Sequence, residues 1–391
     1  MVKKWLVSSL CLLILFLYTL PVAFAEEAAP AKLDLAPNAK SLILMDADTG
    51  TILSEKNKDE KLPPASITKI MTMLLIMEAL EQGKIKLDEK VRTSEYAASM
   101  GGSQIFLEAG EEMSVQEMLK GIAMASGNDA SVAMAEKISG SEAAFVVLMN
   151  ERAKQLGMNN TNFVNCNGLP VADHYSTAHD IAIMSKELLK HEEITHYTSA
   201  YQDYLRKDTA SPFWLVNTNK LVRFYTGADG LKTGYTTEAL FCLAATAKRE
   251  NFRVIAVVLG EPNTKTRNAE VSKLFDYAFS QYTNYPIFHE GDPLGTFTVA
   301  KGEITSVPLT AKHRYSVLLR KGEPSTSVRH ILQVDPNLKA PIVVGQHIGK
   351  IMVYKGDQLV NEFPLESPVK VDKAGLWVLM KRTISHLFFL D

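Results

Sequence analysis

Cysteine is scarce: Cys11, Cys166 and Cys242 are the only three in 391 residues, and none belongs to a C-x-x-C pair. A dithiol redox centre is therefore not expected. Sequence alone leaves open whether Cys166 and Cys242 pair, and two buried free thiols are the expected state. Nine histidines show no H-E-x-x-H or comparable ligand spacing, so neither a catalytic metal nor another cofactor is expected. Excess positive charge is missing too. The formal net charge is −2 and no run of lysine and arginine forms a basic patch, which removes the electrostatic case for nucleic acid as a partner. What remains, 46% hydrophobic and 22% charged, is the composition of a globular protein long enough for two domains.

Lys3 and Lys4 precede the apolar run Trp5 to Leu20, and Ala23-Phe24-Ala25 closes it with small residues. This reads as a secretory signal peptide over residues 1–25, with the mature chain starting at Glu26. Losing those two lysines takes the formal charge from −2 to −4. Residues 26–38, rich in Ala and Pro, are expected to form a flexible lead-in.

Residues 39–284 carry the signals of one α+β domain. Ser41 to Met45 and Thr51 to Leu53 predict a β-hairpin around Asp46 to Gly50. A helical block follows: Ser114 with Glu117 is a capping box, Ser126-Gly127-Asn128 breaks the helix it opens, and the Ala-rich stretch from Asp129 to Ile138 resumes. Gly157 ends a further helix begun at Ser141, and Thr177 with Asp180 caps the next. Strands are expected at Leu231 to Tyr235, Ala239 to Ala247 and Phe252 to Leu259, with a closing helix from Thr266 to Tyr282. Pro286 to Pro293 reads as a linker to a small all-β domain over 292–370. In the tail, 373–391, Leu376, Trp377, Met380, Ile384, Leu387 and Phe388 fall at helical spacing among Lys373, Lys381 and Arg382. It is too short and polar to span a bilayer and suits an amphipathic helix lying in the membrane interface.

The stretch Pro63-Pro64-Ala65-Ser66-Ile67-Thr68-Lys69 precedes the apolar run Ile70 to Met77. The prolines stop what comes before, so Ser66 falls at the first turn of a buried helix. Lys69 lies one turn on, placing an amine beside a hydroxyl at the positive end of the helix dipole. A lysine moved out of water loses basicity and can take the serine proton. The spacing alone assigns nothing, because Ser367-Pro368-Val369-Lys370 repeats it.

Three elements occur in order: Ser66-x-x-Lys69, Ser126-Gly127-Asn128 and Lys232-Thr233-Gly234, on a helix, an inter-helix turn and a strand. This set resembles the penicillin-recognising serine enzymes, and with the signal, β domain and tail it is similar to the low-molecular-mass penicillin-binding proteins, serine-type D-Ala-D-Ala carboxypeptidases. Gly101-Gly102-Ser103, Asn167-Gly168-Leu169 and Ser176-Thr177-Ala178 also look like that family. The resemblance implies a β-lactamase-like catalytic domain and an exported enzyme on the outer face of the cytoplasmic membrane. Its partners would be peptidoglycan stem peptides, with β-lactams as covalent inhibitors. It implies that Ser66 attacks, Lys69 acts as base, Ser126 protonates the leaving amine, and Asn128 holds Lys69 and the substrate amide. Lys232 and Thr233 would bind the terminal carboxylate, Gly234 would let substrate lie along the strand, and the N–H groups of Ser66 and Tyr235 would form the oxyanion hole. Arg267 matches an arginine near the carboxylate site, while its spacing fits a surface arginine equally. Three alternatives share parts of this pattern. A class A β-lactamase would want S-D-N and a deacylating glutamate, a D,D-endopeptidase differs only in substrate access, and an inactive wall-binding protein would not need Ser66.

Overall fold

The computed structural model describes residues 34–387; the expected signal peptide and most of the lead-in fall outside the described residues, as does Phe388 of the tail. The main sheet is antiparallel and five-stranded, in the order β2-β1-β9-β8-β7. β1 (Ser41–Asp46) and β2 (Ile52–Lys56) are the expected hairpin. β1 also pairs with β9, Ser41 opposite Leu259, so the two ends of the domain meet in one sheet. Two short ribbons escape the sequence pattern: β3 (Lys90–Arg92) with β4 (Glu112–Ser114), and β5 (Gln202–Leu205) with β6 (Phe213–Val216). Strands of three and four residues carry too little alternation to stand out. β7 (Ala228–Thr236), β8 (Leu240–Arg249) and β9 (Phe252–Glu261) complete the sheet, leaving β7 as a free edge.

Helices pack on this sheet. The Lys69–Glu81 helix shows almost no amphipathic bias because it is buried all round, with Ile70, Met71, Met73, Leu74 and Ile76 fully inaccessible. Ser114 accepts from the Glu117 amide and Glu117 reaches back, completing the capping box. The helix it opens runs through a π-turn over Gly121–Ala125, and Asn128–Ser139 restarts the helix beyond Ser126.

The expected linker is not one. The Thr264–Gln281 helix runs straight into β10 (Tyr282–Phe288), which contains Pro286. β10 has a single neighbour, and its register shifts between Pro286 and Phe288, which are the two settings in which a strand tolerates proline. The downstream strands are β11 (Pro293–Thr298), β12 (Ser306–Thr310), β13 (Tyr315–Arg320), β14 (Val328–Val334), β15 (His347–Lys355) and β16 (Gln358–Glu366). Phe297, Val307, Leu309, Ile348, Ile351 and Val353 form their core. Asp48, on the β1–β2 turn, accepts from Arg314 Nη2 at 2.6 Å and Ser316 Oγ at 2.7 Å, joining the β region to the main sheet. Asn284 Nδ2 donates to the neighbouring Asp46 at 2.8 Å.

Candidate active site

Ser66 lies in a 3₁₀ turn, Ala65–Thr68, directly before the Lys69 helix. Ala65 holds a positive φ of 49°, a strained conformation for alanine that persists only when neighbours enforce it. Two neighbours do so. Gly168 presses on the turn so closely that a Cβ there would lie 1.9 Å from Ala65 O. His174 Nδ1 accepts from Val164 N at 3.0 Å, so the ring carries its proton on Nε2 and donates it to Thr68 Oγ1 at 2.8 Å. Thr68 Oγ1 in turn donates to Ala65 O at 2.8 Å. Burial holds His174 neutral, with its pKa lowered to about 4.

Lys69 is fully buried. Its Nζ lies 2.9 Å from Ser66 Oγ, 2.6 Å from Asn128 Oδ1 and 2.6 Å from Asn167 O. Three partners suit the ammonium. They suit the neutral amine equally, which donates to the two carbonyl oxygens and turns its lone pair to the Ser66 hydroxyl. Among the described residues no carboxylate pairs with it. Asp129, the nearest buried acid by sequence to Asn128, spends its oxygens on the amides of Ile105, Leu107 and Ala130. Desolvation therefore lowers the Lys69 pKa to about 7.

Ser126 follows the π-turn with φ at 66°. Its hydroxyl is buried and, among the described residues, has no hydrogen-bond partner. A buried hydroxyl left unpaired costs stability and is free to serve a ligand. Asn128, two residues on, is clamped: its Nδ2 donates to Gly101 O at 2.7 Å and its N to Ser103 O at 2.7 Å. Gly102 must be small there, since a Cβ would meet Asn128 Nδ2 at 2.9 Å.

On β7, Lys232 is buried and donates to Thr233 O at 3.0 Å. Burial, then the positive charges of Lys69 and Arg267, push its pKa well down. Arg267 is not a surface arginine. It is 4% exposed, donates to Cys242 O at 3.5 Å and to Asn268 Oδ1, and burial lowers its pKa to about 10. Three cations that desolvate together without a paired carboxylate make a site for an anion. At Gly234 an added Cβ would lie 2.9 Å from Pro64 O and 3.1 Å from Ile67 Cγ1, so glycine lets β7 approach the Ser66 turn. Tyr235 is 56% exposed with its ring on Phe241.

Thr218, which sequence reasoning passed over, accepts at 2.8 Å from Thr233 Oγ1, while its N donates to Met124 O beside the Ser126 turn. Asn217 and Asn219 fix it through Thr198 O, Ala200 O and Gly230 O. The signal was the polar triplet Asn217-Thr218-Asn219 closing an apolar strand. Cys166 and Cys242 are both free and buried.

A serine at a strained turn, a buried lysine without counterion, an unpaired second serine and a cluster of cations on a sheet edge define a serine acyl-transfer enzyme for substrates ending in a carboxylate. Residues 26–263 match the S11 peptidases, D-alanyl-D-alanine carboxypeptidases, and residues 282–373 match the C-terminal domain of penicillin-binding protein 5. The chain belongs to the S11 family and is a serine D-alanyl-D-alanine carboxypeptidase. It is 52% identical to the D-alanyl-D-alanine carboxypeptidase DacF of Bacillus subtilis, over 97% of this chain and 98% of that one. Among solved structures it resembles penicillin-binding protein 5 of Haemophilus influenzae, with TM-score 0.68, 33% identity, and 86% and 98% of the two chains covered. An ampicillin-bound penicillin-binding protein D2 of Listeria monocytogenes aligns with TM-score 0.57 and 31% identity, over 62% of this chain and 98% of that one.

Proposed function

We propose that Ser66 is the nucleophile that removes the terminal D-Ala from peptidoglycan stem pentapeptides. The observation that carries this reading is the 2.9 Å contact between Ser66 Oγ and the buried, counterion-free Lys69 Nζ. Neutral Lys69 takes the Ser66 proton as Oγ bonds to the carbonyl carbon of the penultimate D-Ala. The N–H groups of Ser66 and Tyr235 hold the oxyanion, each worth about 3 kcal/mol. Ser126 passes a proton to the leaving amine, the C–N bond breaks, and D-Ala departs. Water, deprotonated by Lys69, then frees the tetrapeptide. Lys232, Thr233 and Arg267 bind the terminal carboxylate, and Asn128 holds Lys69 and the substrate amide. A β-lactam acylates the same Ser66.

D-Ala release and the mass of the penicillin-treated protein test this, residues 26–391 beside Ser66→Ala. Release and a penicilloyl adduct are expected from the parent alone; equal release by both would show Ser66 to be the wrong serine.

The enzyme works outside the cytoplasmic membrane, exported by residues 1–25 and held to the surface by its tail. Among the described residues no helix is long and apolar enough to cross a membrane. The Leu376–Leu387 helix leaves Leu376, Trp377 and Ile384 exposed, whereas Arg382 donates to Gly302 O at 2.7 Å and Glu303 O at 2.9 Å. Its polar side thus binds the β region and its apolar side chains stay free for lipid. Deleting residues 373–391 should move the protein from the membrane to the soluble fraction, and unchanged retention would refute the anchor.

A further inference from the structure

Beside the Ser66 turn opens a cavity of about 520 Å³ that the carboxypeptidase reaction, as described, does not use. Ala65, Gly168, Leu169, Tyr175 and Thr236 are among the residues that line it. Three charged residues line it: Lys61, Asp173 and Glu238. All three are exposed, and among the described residues none is in an ion pair. Lys61 Nζ sits 4.7 Å above the Tyr175 ring. The walls are fixed by backbone. Tyr175 N donates to Asn162 O, Asn162 Nδ2 donates to Asp173 O at 2.7 Å, and Thr236 Oγ1 accepts from Ala239 N at 3.0 Å across the turn that carries Glu238.

The position of this cavity along β7 says what enters it. β7 is a free edge of the sheet, and a peptide can add to it as a further antiparallel strand. The anion site is at Lys232 and Thr233, and the Ser66 turn meets β7 one residue on, at Gly234. A chain with its carboxylate at the first and its scissile carbonyl at the second must continue toward Thr236. Residues in a strand rise about 3.4 Å each. The residue preceding D-Ala-D-Ala would then lie about 7 Å back from the terminus, toward Thr236, which lines the cavity. In stem pentapeptides that residue is a diamino acid, whose long side chain ends in an amine, alone or beside a second carboxylate.

Resting on the carboxypeptidase reading, we infer that this cavity is the subsite for the side chain of that diamino acid. Asp173 and Glu238 receive its terminal amine, and Lys61 receives the second carboxylate where the residue carries one. The subsite makes the enzyme selective for stems whose diamino acid is unacylated, that is, not already cross-linked through that amine.

The test compares kcat/KM for D-Ala release from X-D-Ala-D-Ala peptides in which X is lysine, Nε-acetyl-lysine or diaminopimelate. Lysine should exceed acetyl-lysine by about fivefold in the parent, and the ratio should fall to about one in Asp173→Asn/Glu238→Gln. Lys61→Met should lower the ratio of diaminopimelate to lysine by about threefold. Each ratio is internal to one protein, so a poorly folded variant does not mimic the effect. Equal kcat/KM for lysine and acetyl-lysine in the parent, or ratios unmoved by the substitutions, would overturn the subsite. No release from any of the peptides would overturn the carboxypeptidase reading beneath it.

Discussion

Two serines in this chain precede a lysine by three residues, and the fold surrounds them oppositely. At Ser66 the lysine enters the core with no carboxylate, and its Nζ is spent on a hydroxyl and two carbonyl oxygens. At Ser367, just past β16, the serine is the buried partner and donates to Val369 O at 2.7 Å, while Lys370 points to solvent 2.9 Å from Asp372. Residues 367–370 form no helix, and Pro368 biases Ser367 toward extended backbone, so the helical spacing that would bring the two side chains together is not formed. The same four-residue pattern thus sets a hydroxyl against a buried amine in one region and forms a strand end in the other. Burial of the amine decides which, because only desolvation moves a lysine pKa to about 7.

The largest effect should come from swapping the lysines for methionine. Lys69→Met should lower penicillin acylation and D-Ala release by at least about 10³-fold, the scale of losing a general base, and Lys370→Met should leave both within twofold. In the parent, acylation should rise with pH through about 7, as Lys69 loses its proton. A flat profile from pH 5 to 9 would break the comparison, since Lys69 would then be as ordinary as Lys370.

Next in size is Gly168→Ala. The added methyl falls 1.9 Å from Ala65 O, and the residue holds a φ of +86° that alanine disfavours. Backbone must move, and it is the backbone that aims Ser66. Acylation should drop by about 10²-fold, with a loss of about 2–4 kcal/mol of stability seen in urea unfolding. A variant with parental acylation would show that the turn is held by something other than Gly168.

Much of this site was legible before the structure because its parts obey local rules. The capping box at Ser114 and Glu117, the proline stop before Ser66, and the helix break at Ser126 each follow from residues within one turn of one another. What stayed hidden is held by distant partners. Thr218 matters through Thr233, His174 through Thr68, and Asn167 through Lys69, pairs separated by 15, 106 and 98 residues. Arg267 looked equally like a surface residue because nothing in its own helix announces that its guanidinium turns inward to Cys242 O. Pro286 misled for the reverse reason: proline punctuates locally, and only the pairing of β10 with β13 reveals an edge strand that tolerates it.

The smallest expected effect on activity concerns how the Ser66 turn is secured against acid. His174 must stay neutral, because Nδ1 accepts from Val164 N while Nε2 donates to Thr68. In the folded protein its pKa is lowered from 6.5 to about 4 by burial. Between those values the unfolded chain binds a proton that the native chain refuses, so stability falls as pH drops from 6.5 and the loss is complete below about 4. At about 1.4 kcal/mol per pKa unit this single group contributes on the order of 3 kcal/mol across the window. Carboxylates titrate in the same range, and comparison with His174→Gln removes their common contribution. The variant should start less stable at pH 7, for want of one bond to Val164 or Thr68, yet lose less on going to pH 4.5, so that the two unfolding free energies converge. Parallel lines would mean that His174 is as protonatable in the fold as in the open chain. The turn that distinguishes Ser66 from Ser367 would then owe its shape to Gly168 alone.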